Sequence, residues 1–163
     1  MTDPAVLAPG AGENLWFLDT LMQVKVAAAA SDGAMAVFEQ LAPPGSATPM
    51  HRHDATDEHF YVLSGEVTFH GPSGAQRCVA ATFVSVSRGT PHAFRVADTG
   101  EARLLVISAP ATFEGFVRAV SRPTADATLP PPAPPPTPAD MERLVKVGSQ
   151  HDTIVLGPPP PAS

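Results

Sequence analysis

Two histidines one residue apart, His51-Arg52-His53, followed across a short polar loop by Glu58, restrict this chain more than any other feature. Side chains on an extended strand alternate between faces with period two, so His51 and His53 point to the same side. The loop Asp54 to Asp57 turns the chain back and brings Glu58 to the head of the next strand, where Phe60 and Val62 share its face. Two imidazoles and a carboxylate from neighbouring strands can then reach one point inside a barrel. A further donor is expected from across it: Gly89-Thr90-Pro91 turns the chain, after which His92 and Phe94 face inward together.

Imidazoles with a carboxylate suit a divalent first-row metal that keeps open coordination positions. Cys78 is the only cysteine, which removes any thiolate cluster or internal disulfide and reads as a buried strand residue. The expected ligands are therefore His51, His53, Glu58 and His92, holding one divalent transition metal: manganese, iron, cobalt, nickel, copper or zinc. Glu58, close to both ion and substrate, is the candidate catalytic base. Phe60, Val62, Phe83 and Phe94 are the candidate pocket residues. His59 directly follows a ligand and should face the other side, while His70 and His151 read as solvated. Because histidine binds metal as the neutral ring, activity is expected to fall in acid.

The rest of the pattern is all-β. Runs rich in Val, Phe and Thr, separated by Gly, Pro and Asp, cover Trp16 to Val26 (interrupted near Asp19), Met35 to Leu41, Thr48 to His53, His59 to Ser64, Glu66 to His70, Gln76 to Val79, Thr82 to Val86, His92 to Val96 and Arg103 to Ser108. Many short strands point to a closed or double-sheet architecture that protects its edges. Thr112 is placed to cap a short helix from Phe113 to Val120, with Phe113, Phe116 and Val120 on one face against the outside of the barrel. Residues 1–122 read as the barrel unit with its N-terminal strands and flanking helix. Residues 123–163 read as a proline-rich spacer, Pro123 to Pro138, whose run Pro130 to Pro136 cannot make helix or sheet ladders, then a helix and tail. That last helix is expected over Asp140 to Val147, stopped by Gly148, with Thr153 to Leu156 extended and Gly157 to Ser163 frayed.

With 163 residues, 44% hydrophobic and 16% charged, the chain suits one folded domain. A formal charge of -6 with no Lys/Arg cluster argues against a nucleic-acid partner. Met1 to Gly12 lacks a basic start followed by an apolar stretch, and Ala27 to Ala30 is too short to cross a bilayer, so no membrane partner and a cytoplasmic location are expected.

The spacing resembles that of the cupin superfamily, whose first motif (G, five residues, HxH, four residues, E, six residues, G) is met by Gly45, His51, His53, Glu58 and Gly65. The second motif is looser: Gly89 and His92 are present, but Ala81, Ser87 and Val96 stand where Gly, Pro and Asn are usual. Asp57 to Gly65, Arg88 to Val96 and the early Trp16-Phe17 are similar to one-domain quercetin dioxygenase-like cupins of bacteria. The resemblance implies a single cupin jelly-roll β-barrel with short C-terminal helices and a two-fold homodimer. It also implies a metal-dependent dioxygenase: a small flavonol-like or other enol or phenol substrate binds the metal, loses a proton to Glu58 and reacts with dioxygen. A redox-neutral isomerase, cyclase or lyase, and a non-catalytic binding or sensing module, stand as alternatives on the same scaffold.

Overall fold

A computed structural model describes residues 3–162; Met1, Thr2 and Ser163, the outermost residues of the two termini discussed above, lie outside the described residues. The chain opens with the hairpin β1 (Glu13–Phe17) and β2 (Thr20–Val26) and passes through a 3-10 turn, Ala28–Ser31. There follow β3 (Ala36–Ala42), β4 (Met50–Arg52), β5 (Asp57–Ser64), β6 (Glu66–Gly71), β7 (Gly74–Val79), β8 (Phe83–Val86), β9 (Ala93–Val96) and β10 (Ala102–Ala109). Helix α1 (Thr112–Val120), β11 (Arg122–Thr124), helix α2 (Pro138–Gln150) and β12 (Ile154–Gly157) complete it.

The strands form a seven-stranded antiparallel sheet ordered β11-β1-β2-β3-β10-β5-β8, a three-stranded sheet β7-β6-β9, and the pair β12-β4. Short bridges, Ala47 to Arg95 and His51 to His92, tie the segments around β4 to those around β9. This is a double-sheet antiparallel β fold, and the all-β expectation holds.

Alternation along the strands builds the core. On β10, Ala102, Leu104, Val106 and Ser108 are buried while their neighbours are only half-buried. On β5, Glu58, Phe60 and Val62 turn inward, and Phe38 on β3 is fully enclosed. Burying one such side chain stabilises the fold by roughly 1.5–3 kcal/mol. Gly65 makes the β5–β6 turn at φ 82°, and a Cβ there would meet the Glu101 carbonyl oxygen and lie 2.8 Å from Ala102 Cα. Only glycine fits this position without displacing backbone.

The structure corrects several expectations. The spacer leaves the sheet only after its first residues: Pro123 lies in β11, which pairs with β1 and places Leu15 opposite Pro123. An edge strand tolerates proline because its outer N–H side needs no partner. The spacer also covers Trp16, whose indole N–H donates to the Thr128 carbonyl at 2.9 Å. Thr112 is not the cap of α1; Ala111 stands there, and the Thr112 hydroxyl meets that of Thr56. The last helix begins earlier, at Pro138, because Thr137 and Asp140 form a reciprocal capping box. Gly148 is not its stop but lies buried inside it, where a Cβ would come 3.0 Å from the Thr153 carbonyl oxygen. Glycine there permits close approach of the returning chain. Among the described residues no helix is long and apolar enough to cross a membrane.

Candidate metal centre and cavity

His51 lies within β4, His53 just beyond it, Glu58 on β5, and His92 immediately before β9. One donor atom from each lies within 4.8 Å of all the others, and all four residues are buried. Antiparallel pairing of β5 with β10 and β8 fixes Glu58 opposite Ser108 and Val86. The bridge between His51 and His92 brings their rings to a centroid separation of 4.3 Å.

The hydrogen bonds fix how each ring presents itself. Nδ1 of His51 faces the Pro49 carbonyl at 2.8 Å, Nδ1 of His53 the Asp152 carbonyl at 2.7 Å, and Nδ1 of His92 the Thr90 carbonyl at 3.1 Å. A carbonyl can only accept, so each Nδ1 carries its proton and donates. In the neutral ring Nε2 is then a lone-pair donor to a metal. Nε2 of His92 is 3.1 Å from Glu58 Oε2, and Nε2 of His53 is 3.3 Å from the same oxygen but off the line of a hydrogen bond, a buried atom without a partner. Three ring nitrogens and a carboxylate oxygen, all acceptors, face one another out of water. Such a set is costly unless a cation or protons lie between them.

The residues therefore fit a divalent transition metal, with the three Nδ1–H···O=C bonds as the outer contacts that orient metal-binding histidines. Burial, with His92 adding to it, lowers His51 to about 4, leaving that ring neutral near pH 7. Burial would lower His53 too, but its contact with the Glu58 carboxylate outweighs this and raises it. Burial alone would raise Glu58; His53 and His92 instead hold it well below the usual carboxylate range.

A cavity of ≈ 80 Å³ adjoins His51 and Glu58. Phe17, Phe60, Phe94, Phe113, Phe116 and Val155 give it apolar walls, and Gln40 and Thr48 contribute polar groups. Among the described residues lining it there is no lysine or arginine.

Of the expected pocket residues, Phe60 and Phe94 line this cavity. Val62 and Phe83 do not. Val62 is fully buried, but it sits four residues along β5 from Glu58, roughly 13 Å at the usual strand rise. Phe83 is 58% exposed and stacks on His59, since cross-strand partners share a face and Phe83 pairs with the outward Tyr61.

Sequence reasoning placed α1 on the outside of the barrel, yet Phe113 and Phe116 reach the cavity, with Phe113 5.9 Å from His53 between ring centroids. It also missed Asp152, a contact with no local signal. Gln40 had one, being a polar residue in the inward phase of β3 beside Phe38 and Ala42.

Comparison with known proteins finds relatives of this arrangement of four side chains. Residues 38–108, which contain all four, match the cupin domain family. Over that stretch the chain is similar to the cupin domain, as the spacing of its ligands implied. It is 28% identical over 120 residues to quercetin 2,3-dioxygenase of Bacillus subtilis (strain 168), covering 74% of this chain and 35% of that protein, so it spans about a third of the relative's length. Two solved structures share the fold. They are the polyketide cyclase RemF from Streptomyces resistomycificus (TM-score 0.56, 18% identity, 66% of this chain and 80% of that one) and a predicted oxalate decarboxylase from Thermotoga maritima (TM-score 0.58, 18% identity, 65% and 99%).

Proposed function

We propose that this protein is a metal-dependent dioxygenase acting on a small, uncharged aromatic metabolite that carries an enol or phenol. The observation that carries the reading is the juxtaposition of the His51, His53, Glu58, His92 cluster with an aromatic-walled cavity that no lysine or arginine among the described residues lines. A phosphate or dicarboxylate would find no cationic side chain there, whereas a flat aromatic ring has Phe60, Phe94, Phe113 and Phe116 to pack against. The likeness to the Bacillus subtilis quercetin 2,3-dioxygenase supports the same substrate class.

A divalent ion held by the four ligands would act as a Lewis acid, lowering the pKa of a hydroxyl coordinated to it. Glu58 is the acceptor for that proton: both histidine contacts fall on Oε2, and the residue also lines the cavity. Its low pKa keeps it ionised, and a carboxylate so weakly basic would accept a proton only from a hydroxyl that the ion has made acidic. The phenylalanine walls exclude water from the deprotonated substrate, which is then the electron-rich partner for dioxygen. Gln40 offers an amide to a second polar group of the substrate; its bond to Thr20 Oγ1 is long, at 3.4 Å.

The test is oxygen uptake by metal-loaded protein across a panel of flavonols and simpler enols, with product analysis. Uptake matched to substrate loss, abolished in Glu58→Gln, is the expected result. Substrate conversion without oxygen uptake would replace this reading with a redox-neutral isomerase, cyclase or lyase. Tight substrate binding without conversion would replace it with a binding module.

A further inference from the structure

We infer that Asp152, in the turn between α2 and β12, is a positioning residue of the metal centre, so that the C-terminal segment belongs to the site rather than hanging from the barrel. This inference rests on the reading of His51, His53, Glu58 and His92 as a metal centre.

Two parts of Asp152 act at once. Its carbonyl accepts from His53 Nδ1 at 2.7 Å, setting the rotation of the ring and directing Nε2 toward Glu58. Its carboxylate accepts from the Asp54 amide at 2.8 Å, from the Ala55 amide at 3.0 Å and from the Thr56 hydroxyl at 2.7 Å. Residues 54 to 56 are the loop between His53 and Glu58. One residue therefore clamps both a ligand and the hinge that sets its distance from the next ligand.

The backbone of Asp152 is held in the left-handed region, at φ 58°, which Asp and Asn tolerate better than other non-glycine residues. That conformation turns the chain from the end of α2 into β12. There Val155 pairs with His51 and Ile154 with Arg52, so the same segment also braces the strand carrying the first ligand. Leu144, Thr153 and Val155 from this segment line the cavity as well. Contacts to ligating histidines of this kind typically change metal affinity by roughly 10–100-fold when removed.

The experiment compares full-length wild type, Asp152→Ala and Asp152→Asn, each stripped of metal and titrated with cobalt(II) against a chromophoric chelator. Cobalt d–d absorption reports ligand geometry, and thermal unfolding of the metal-free proteins is measured alongside. Asp152→Ala removes the carboxylate and disfavours the left-handed turn, whereas Asp152→Asn keeps an acceptor and the turn. The expected result is cobalt affinity roughly 10–100-fold weaker with an altered d–d spectrum in Asp152→Ala, and recovery of both in Asp152→Asn. Wild-type affinity and spectrum in Asp152→Ala would overturn the positioning role while leaving the metal centre standing. A metal-free Asp152→Ala that is less stable but binds cobalt normally would overturn it equally, since that is a purely structural effect. Failure of the wild type itself to bind cobalt would remove the metal centre and the inference with it.

Discussion

The Asp152 carbonyl accepts a hydrogen bond from His53 Nδ1 at 2.7 Å across 99 positions of sequence. This contact joins the last part of the chain to the centre of the barrel. It explains why a spacer rich in proline precedes the final helix: an extended, semi-rigid segment limits the conformations that α2 and β12 must search before docking.

Deleting Thr124 to Ser163 should therefore lower the thermal midpoint. Loss of the β12–β4 ladder and of the α2 contacts with α1 costs at least about 2 kcal/mol, or roughly 4–8 °C for a chain of this size. Differential scanning calorimetry of the truncated protein checks this, and an unchanged midpoint would show that the tail does not pack.

Gln40→Leu should raise the Michaelis constant for an accepted substrate with little effect on metal content. The amide lines the cavity but does not belong to the cluster of four. Removing one hydrogen bond to substrate costs about 1 kcal/mol, roughly a fivefold change. Steady-state kinetics beside elemental analysis separate the two effects.

Stability should depend on pH through Glu39. Burial alone would raise this carboxyl, but Lys25 on β2 at 3.1 Å and Arg103 on β10 at 2.6 Å outweigh it, so its folded pKa is depressed. A depressed carboxyl stabilises the fold above its unfolded pKa, and the contribution disappears as pH falls through the folded value. The groups are half-buried and screened, so Glu39→Gln should cost roughly 0.5–1 kcal/mol near neutral pH. Urea titrations should show the two proteins converging at acid pH; a constant gap would refute the assignment.

Gly65→Ala should destabilise by about 2 kcal/mol or more, because the positive φ and the crowding against Glu101 and Ala102 act together. Chemical denaturation gives the value directly. A change under about 0.5 kcal/mol would mean that the turn relaxes, contrary to the close contact described.

The cluster was legible in sequence because its logic is local. Period-two alternation puts His51 and His53 on one face, and a reversal at Asp54 to Asp57 supplies Glu58, so spacing alone implies convergence. Phe83 failed for the complementary reason: a short apolar run does not reveal its phase, and only pairing with Tyr61 turned it outward. Phe113 and Phe116 were visible as a helical stripe, but which surface that stripe covers depends on the docking of α1, where Arg118 bridges Glu13 and Glu114. Asp152 left no trace, because a backbone carbonyl is common to every residue and its use here is decided by where the tail lands.

Whether His51, His53, Glu58 and His92 hold one divalent metal ion is read by elemental analysis of untagged wild type, Glu58→Gln and His92→Ala, purified side by side. About one transition metal per wild-type chain and a marked loss in both variants are expected. A wild type without metal, or variants that keep as much as the wild type, would contradict the assignment of these four residues as ligands.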